Sequence, residues 1–169
     1  MKNFLFIGEK NSGKSTFLHS LLRDTNFSCG GVISMPVFKQ EIKIGTDALN
    51  VHTGERRTLT RLEKYADFSG RAVGRYVIND KGIEHGKRAI EMAIGKRDFI
   101  IIDEVGPLEL RGGGWAEEVE KAFRKGNVIA VIRENIKEKF FEKYGENFTR
   151  VGKNDLVNML GGCYEKNGI

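Results

Sequence analysis

Apolar positions fall into compact runs and into spaced sets, and the two kinds alternate along the chain. Residues 2–7, 29–34, 99–102 and 127–132 are short and nearly all apolar, the pattern of strands buried on both faces. Between them the spacing changes to that of a helix. Phe17, Leu18, Leu21 and Leu22 mark a helix over 14–23. Ile83, Ile90 and Ile94 mark one from a cap at Asn79 or Asp80 to Ile94, weakened in its first half by Gly82 and Gly86 and stopped by Gly95. Trp115, Val119, Ala122 and Phe123 share a face, and so do Ile136, Phe140, Phe141 and Tyr144. A short strand over 148–151 and a last helix, capped by Asn154 or Asp155 and closed by Gly161-Gly162, complete this alternation.

One stretch breaks the rhythm. From residue 36 to 61 polar and apolar residues alternate, with turn signals at Gly45-Thr46 and Thr53-Gly54, which predicts an antiparallel β-meander. Pro36 should limit the strand before it. The meander is thin in apolar residues, so it is expected at a sheet edge with one solvated face. Residues 62–72 read as ambiguous or loop, and Arg75 to Ile78 as a short strand. Together these predict an α/β fold: a mostly parallel sheet with helices on both faces and an antiparallel meander at one edge. The 169 residues suit one domain, 1–169.

The first strand runs straight into Gly8-Glu9-Lys10-Asn11-Ser12-Gly13-Lys14-Ser15-Thr16, which fits the Gly-x4-Gly-Lys-Ser/Thr pattern of a phosphate-binding loop. The glycines permit backbone angles that a side chain would forbid. Backbone N–H groups of such a loop form an anion nest, and the helix behind adds its positive end. In this pattern Lys14 contacts the β- and γ-phosphates and the Ser15 hydroxyl ligates Mg²⁺. A glycine turn with a chance lysine is the alternative, and the strand before and helix after argue against it.

The strand Phe99–Ile102 ends in Asp103-Glu104. An aspartate there matches the Walker B position and would hold Mg²⁺ across from Ser15. Glu104 beside it could draw a proton from an attacking water, against the alternative of a structural salt bridge. A second cation would help the charged transition state. Arg56, Arg57, Arg111 and Arg133 are candidates, with Arg133 well placed if its strand adjoins that of Asp103. Asp103-Glu104-Val105-Gly106 also fits the D-x-x-G of GTPase switches, but no Asn-Lys-x-Asp guanine signature accompanies it.

Charge and composition refine this picture only slightly. A net charge of +5 admits nucleic acid, yet the basic residues form no long block and no aromatic-basic motif, so a triphosphate counter-charge is the better reading. No apolar run reaches the length of a membrane span and no secretory leader pattern is present. The two cysteines, Cys29 and Cys163, read as free thiols in a reducing cytoplasm, and His19, His52 and His85 are scattered.

Four stretches carry a resemblance: Gly8–Thr16, Thr53-Gly54-Glu55-Arg56, Val73-Gly74-Arg75-Tyr76-Val77 and Asp103-Glu104-Val105-Gly106-Pro107-Leu108-Glu109-Leu110. Over most of its length the chain resembles the cancer-related, thermophile-type nucleoside-triphosphatase family. That resemblance implies a P-loop fold and Mg²⁺-dependent hydrolysis of nucleoside triphosphates such as ATP, GTP, CTP and UTP to diphosphate and phosphate. Ser15-Thr16, Val32-Ile33-Ser34 and Lys153-Asn154-Asp155 depart from the family pattern. The rival activity is a nucleotide- or polynucleotide-kinase-like phosphotransferase; a nucleic-acid-gated module is a further rival. Oligomeric state is open.

Overall fold

The computed structural model describes residues 2–161. Among these described residues nine strands form one mixed sheet in the order β5-β6-β4-β3-β2-β7-β8-β1-β9. The parallel half is β2 (Cys29–Lys39), β7 (Phe99–Ile102), β8 (Val128–Arg133), β1 (Phe4–Gly8) and β9 (Thr149–Val151). β3 (Ile42–Asn50), β4 (Arg56–Leu62), β6 (Tyr76–Ile78) and β5 (Arg71–Val73) continue from β2 in antiparallel pairing.

Side chains alternate across each strand, so one sheet serves two cores. Leu5, Val32, Ile100 and Ile102 face one core, and Phe6, Ile33 and Ile101 the other. The first core is covered by α2 (Asp80–Ala93), α4 (Ala116–Lys125) and α5 (Lys137–Tyr144), through residues such as Ile90, Val119 and Phe140. The second is covered by α1 (Lys14–Arg23) and α6 (Lys153–Leu160), through Leu18 and Leu156. Burying one such aliphatic side chain contributes roughly 1.5–3 kcal/mol.

Local expectations fare unevenly. Pro36 does not limit its strand: β2 continues to Lys39. The N–H of Ser34 points toward the β7 side, where it meets Asp103, so the missing N–H of Pro36 falls on that same side, beyond the end of β7. Gly45-Thr46 is no turn but lies inside β3, beside a bulge at Thr46/Asp47. The reversal comes earlier, at Gln40 and Glu41, which both adopt positive φ (48° and 64°), as a two-residue hairpin of the primed type requires. Residues 62–72 contain a 3₁₀ turn, Glu63–Tyr65, and the start of β5.

The glycines of α2 do not weaken it in place. Gly82 lies against the backbone of Thr58 and Leu59, and a Cβ at Gly86 would come within 2.5 Å of the Trp115 indole. Their missing side chains let the helix approach the sheet and seat that ring. Asn79 caps α2 through its side chain, which accepts from the Lys81 N–H at 3.0 Å. The cap of α6 is Gly152, not Asn154 or Asp155. Asp155 sits a turn inside and accepts from the Gly152 N–H at 2.7 Å. Cys163 and Gly162 lie outside the described residues.

Candidate active site

The loop after β1, Asp103-Glu104 and Arg133 gather at the carboxyl edge of the parallel strands, where α/β sheets take ligands. β8 lies between β7 and β1, and Gly8 is in register with Arg133. Three strand ends therefore bring the phosphate-loop residues, Asp103-Glu104 and Arg133 side by side.

Residues 9–13 make an exposed turn between β1 and α1. Asn11 and Gly13 both have positive φ (57° and 76°). A Cβ on Gly13 would meet nothing within 4 Å, so this position needs glycine for its left-handed backbone, not for room. Ser12 Oγ donates to the Glu9 carbonyl at 2.8 Å and steadies the loop. Gly8 has little space: a Cβ there would stand 3.1 Å from Lys14 Cδ. Lys14 is buried, and its Nζ donates to the carbonyls of Gly8 (3.1 Å) and Glu9 and to Ser12 Oγ (3.1 Å). Burial lowers the pKa of its ammonium; the nearby carboxylates of Asp103 and Glu104 work against that, and Arg133 adds to it. Ser15 is half-buried in the first turn of α1, and Thr16, its neighbour, is exposed.

Asp103 and Glu104 are adjacent but live in different surroundings. Asp103 is fully buried. Its Oδ2 accepts from the Ser34 N–H at 3.1 Å, while Oδ1 has no hydrogen-bond partner among the described residues. Burial, followed by the charge of Glu104, pushes its carboxyl up to about 7, against the influence of the nearby Ser15 hydroxyl, the Ser34 N–H and the charge of Lys14. An orphaned buried oxygen next to a serine hydroxyl suits a cation held by a few protein atoms. Among the described residues no cluster of three or more His, Cys, Asp or Glu could hold a metal alone. Mg²⁺ is a cation of that kind, since it uses one or two carboxylates and takes its other oxygens from phosphates and water.

Glu104 turns out of the strand with a left-handed backbone, φ 62°, uncommon for a residue with a Cβ. Its Oε1 meets Arg133 Nη2 at 3.0 Å, each side chain about a third exposed. Of the four arginine candidates, Arg133 and Arg111 line the cleft beside Glu104, and Arg56 and Arg57 do not. Arg57 is tied to Glu55. The charge of Arg56 instead bears on His19 of α1.

No local pattern assigns a role to Glu109, although it lies in one of the stretches that carry the family resemblance. Glu109 lies in the short helix α3 (Pro107–Leu110) and is buried. Its Oε2 accepts from the Gly106 N–H (3.0 Å) and its Oε1 from the Trp115 N–H (3.3 Å). One carboxylate thus closes the loop that follows Glu104. Burial raises its pKa, and those N–H groups oppose the rise. Trp115 anchors the far end, its Nε1 donating to the Ile83 carbonyl at 3.0 Å. Ser34 and Lys43 were missed as well. Lys43, on β3, reaches Asn11 Oδ1 at 3.4 Å and links the meander to the phosphate-loop turn.

Known proteins resemble this chain over most of its length. Residues 3–155 match the NTPase family. The nucleoside-triphosphatase THEP1 of Thermotoga maritima is 33% identical over 141 residues, covering 82% of this chain and 78% of that protein. THEP1 of Methanothermobacter thermautotrophicus is 34% identical over 122 residues, covering 69% and 67%. Among solved structures, the fold resembles THEP1 from Aquifex aeolicus (TM-score 0.68, 21% identity, 95% of this chain and 97% of that one). A human cancer-related nucleoside triphosphatase is also similar in fold (TM-score 0.67, 19% identity, 94% and 95%). With a phosphate loop, a buried strand-end aspartate and a match across nearly its whole length, the chain belongs to the NTPase family.

Proposed function

We propose that this chain, as a single domain, is a Mg²⁺-dependent nucleoside-triphosphatase of the cytoplasm that converts ATP, GTP, CTP and UTP to diphosphate and phosphate. The observation that carries the reading is the convergence of Lys14, the orphaned oxygen of Asp103 and the Glu104–Arg133 pair at one sheet edge. Gly8, Glu9, Lys10, Asn11, Ser12, Gly13, Lys14, Ser15 and Thr16 bind the triphosphate. Ser15 and Asp103 would hold Mg²⁺, which when bound neutralises charge on the β- and γ-phosphates. Lys14 leaves the loop carbonyls and places its ammonium on those phosphates.

Glu104 accepts a proton from water as the water oxygen attacks the γ-phosphorus and the β–γ bridging bond breaks. Arg133 holds that carboxylate in place and faces the charge that gathers on the γ-phosphoryl oxygens. The phosphate loop reads only what all nucleoside triphosphates share, which fits loose choice of base. The free, buried Cys29, its thiol pushed up to about 11 by burial, suits a reducing compartment.

The test is Glu104→Gln in single-turnover hydrolysis with a parallel measurement of ATP affinity. Affinity should hold and the rate should fall roughly 10²- to 10⁴-fold, the usual reach of a general base. A wild-type rate would make Glu104 structural.

A further inference from the structure

Strict alternation along β3 would put Lys43 and Thr46, three residues apart, on opposite faces of the sheet. Both nevertheless line the cleft beside Glu104. The pairing with β2 explains this. Val37 stands opposite Gly45 and Phe38 opposite Lys43, so Ile44 is an extra residue on β3. Such a β-bulge re-aims the side chain that follows the break in register. Ser34 pairs with Ala48, Pro36 with Thr46 and Phe38 with Lys43, so the bulge brings Lys43 onto the face of Ser34 and Thr46, where the cleft opens.

The half-buried Lys43 meets the phosphate loop there. Its Nζ donates to Asn11 Oδ1 at 3.4 Å, and Asn11 holds the crown of the loop with φ 57°. In this pattern the loop cradles the β- and γ-phosphates. Among the described residues Lys43 forms no ion pair, so its charge is free. The charge of Arg133 is shared with Glu104 at 3.0 Å. Lys14 approaches the loop from within, through the carbonyls of Gly8 and Glu9, and Lys43 approaches it from the meander. Asn11, Lys43, Glu104 and Arg133 face one open space.

We infer that Lys43, re-aimed by the bulge and held at the tip of the phosphate loop by Asn11, is a further catalytic residue of the triphosphatase reaction, its ammonium contacting the γ-phosphoryl oxygens and stabilising the charge they gather. The inference rests on the hydrolase reading proposed above. The charge of the transition state spreads over three oxygens, and little covalent chemistry is left for the protein, so positioned cations supply much of the catalysis. A compact ammonium on a flexible stem can follow the phosphoryl group as it moves from the diphosphate toward water. In the step, a water O–P bond forms as the bridging β–γ P–O bond breaks. Glu104 takes the water proton, and the nucleoside diphosphate leaves with the bond pair. Lys43 neither gains nor loses a proton; it acts by charge alone.

The test compares Lys43→Met with the wild-type protein in single-turnover hydrolysis of ATP with Mg²⁺. Affinities are measured alongside for ADP and for ADP with aluminium fluoride, a mimic of the transferring phosphoryl group. The rate should fall roughly 10²- to 10³-fold, as when one preorganised donor to a developing charge is removed. Binding of the aluminium fluoride complex should weaken by a similar factor. ADP affinity should stay within about twofold, because ADP lacks the γ-phosphoryl group. Lys43→Arg, which keeps the charge, should recover at least about a tenth of the wild-type rate. A wild-type rate in Lys43→Met overturns the inference and leaves the hydrolase reading intact. Equal weakening of ADP and of its aluminium fluoride complex also overturns it, because Lys43 would then shape the loop and not meet the γ-phosphoryl group. So does a Lys43→Arg variant as slow as Lys43→Met, since charge would not be what the position supplies. Absence of hydrolysis in the wild-type protein would instead bring down the hydrolase reading, and the inference with it.

Discussion

The parallel and antiparallel halves of the sheet solve different problems with the same strand geometry. In the parallel half both faces are covered, and β7 and β8 are apolar almost without interruption. Its charged groups sit at strand ends, because the covered lengths of β7 and β8 carry only apolar side chains. In the antiparallel half the edge strand β5 is exposed throughout, and at the hairpin where β2 runs past the parallel strands to meet β3, Phe38 and Ile42 are 59% and 56% exposed. Polar residues occur along these strands, as in the ion pair of Arg61 and Asp47 at 2.7 Å. The comparison teaches a division of labour. The buried half fixes a few charged groups to high precision, and the exposed half supplies a wall whose residues can differ at little cost to the fold.

The largest expected effect tests the fixed half. On the proposed reading, Lys14→Ala removes the cation that the loop would place on the transferring group. Turnover should fall by orders of magnitude, while circular dichroism and Tm stay near wild type, because the loss lies in the transition state and not in the core. Unchanged turnover would refute the assignment of the loop.

A smaller effect, of opposite sign for stability, comes from Asp103→Asn. The folded-state pKa of Asp103, about 7, lies above the ordinary 3.8, so the penalty for burying its charge is complete above pH 7, shrinks as the pH falls and is absent below about 4. In chelator, Asp103→Asn should therefore raise Tm at pH 8, by roughly 2–4 °C for each kcal/mol recovered. The gain should shrink toward pH 5, and hydrolysis should be lost throughout. A lower Tm at pH 8 would show that the carboxylate is structural and not held at a cost.

The smallest effect lies in the exposed half. Phe38→Ser should change stability by no more than about 0.5 kcal/mol in a denaturant titration, where Ile101→Ala in β7 should cost about 2–5 kcal/mol. Comparable losses at the two positions would erase the distinction between the halves.

Legibility in the sequence follows the same line. The buried strands, the phosphate loop and the Asp103-Glu104 strand end could be read because each is specified by contiguous residues. Strand order was not: Arg133 becomes a partner of Glu104 only because β8 lies between β7 and β1, which no local pattern reveals. The meander misled for physical reasons. Its tight turn uses Gln40 and Glu41 in left-handed conformations that side chains usually avoid, so the nearby Gly45 looked the better turn. Pro36 looked like a strand end because its tolerance depends on which side of the strand lacks a neighbour. Glu109 resisted assignment because its partners, Gly106 and Trp115, come together only when the loop closes. Gly82 and Gly86 carried a negative propensity that tertiary packing overrode.

Trp115 is the chain's only tryptophan. Its ring is held over Gly86, its backbone N–H by the carboxylate that closes the Glu104 loop, and it borders the cleft. Intrinsic fluorescence excited at the indole is therefore an unlabelled optical gauge of this one loop. Its emission wavelength follows the wetting of the cleft's inner wall, and stopped-flow mixing with nucleotide can time loop movement apart from phosphate release.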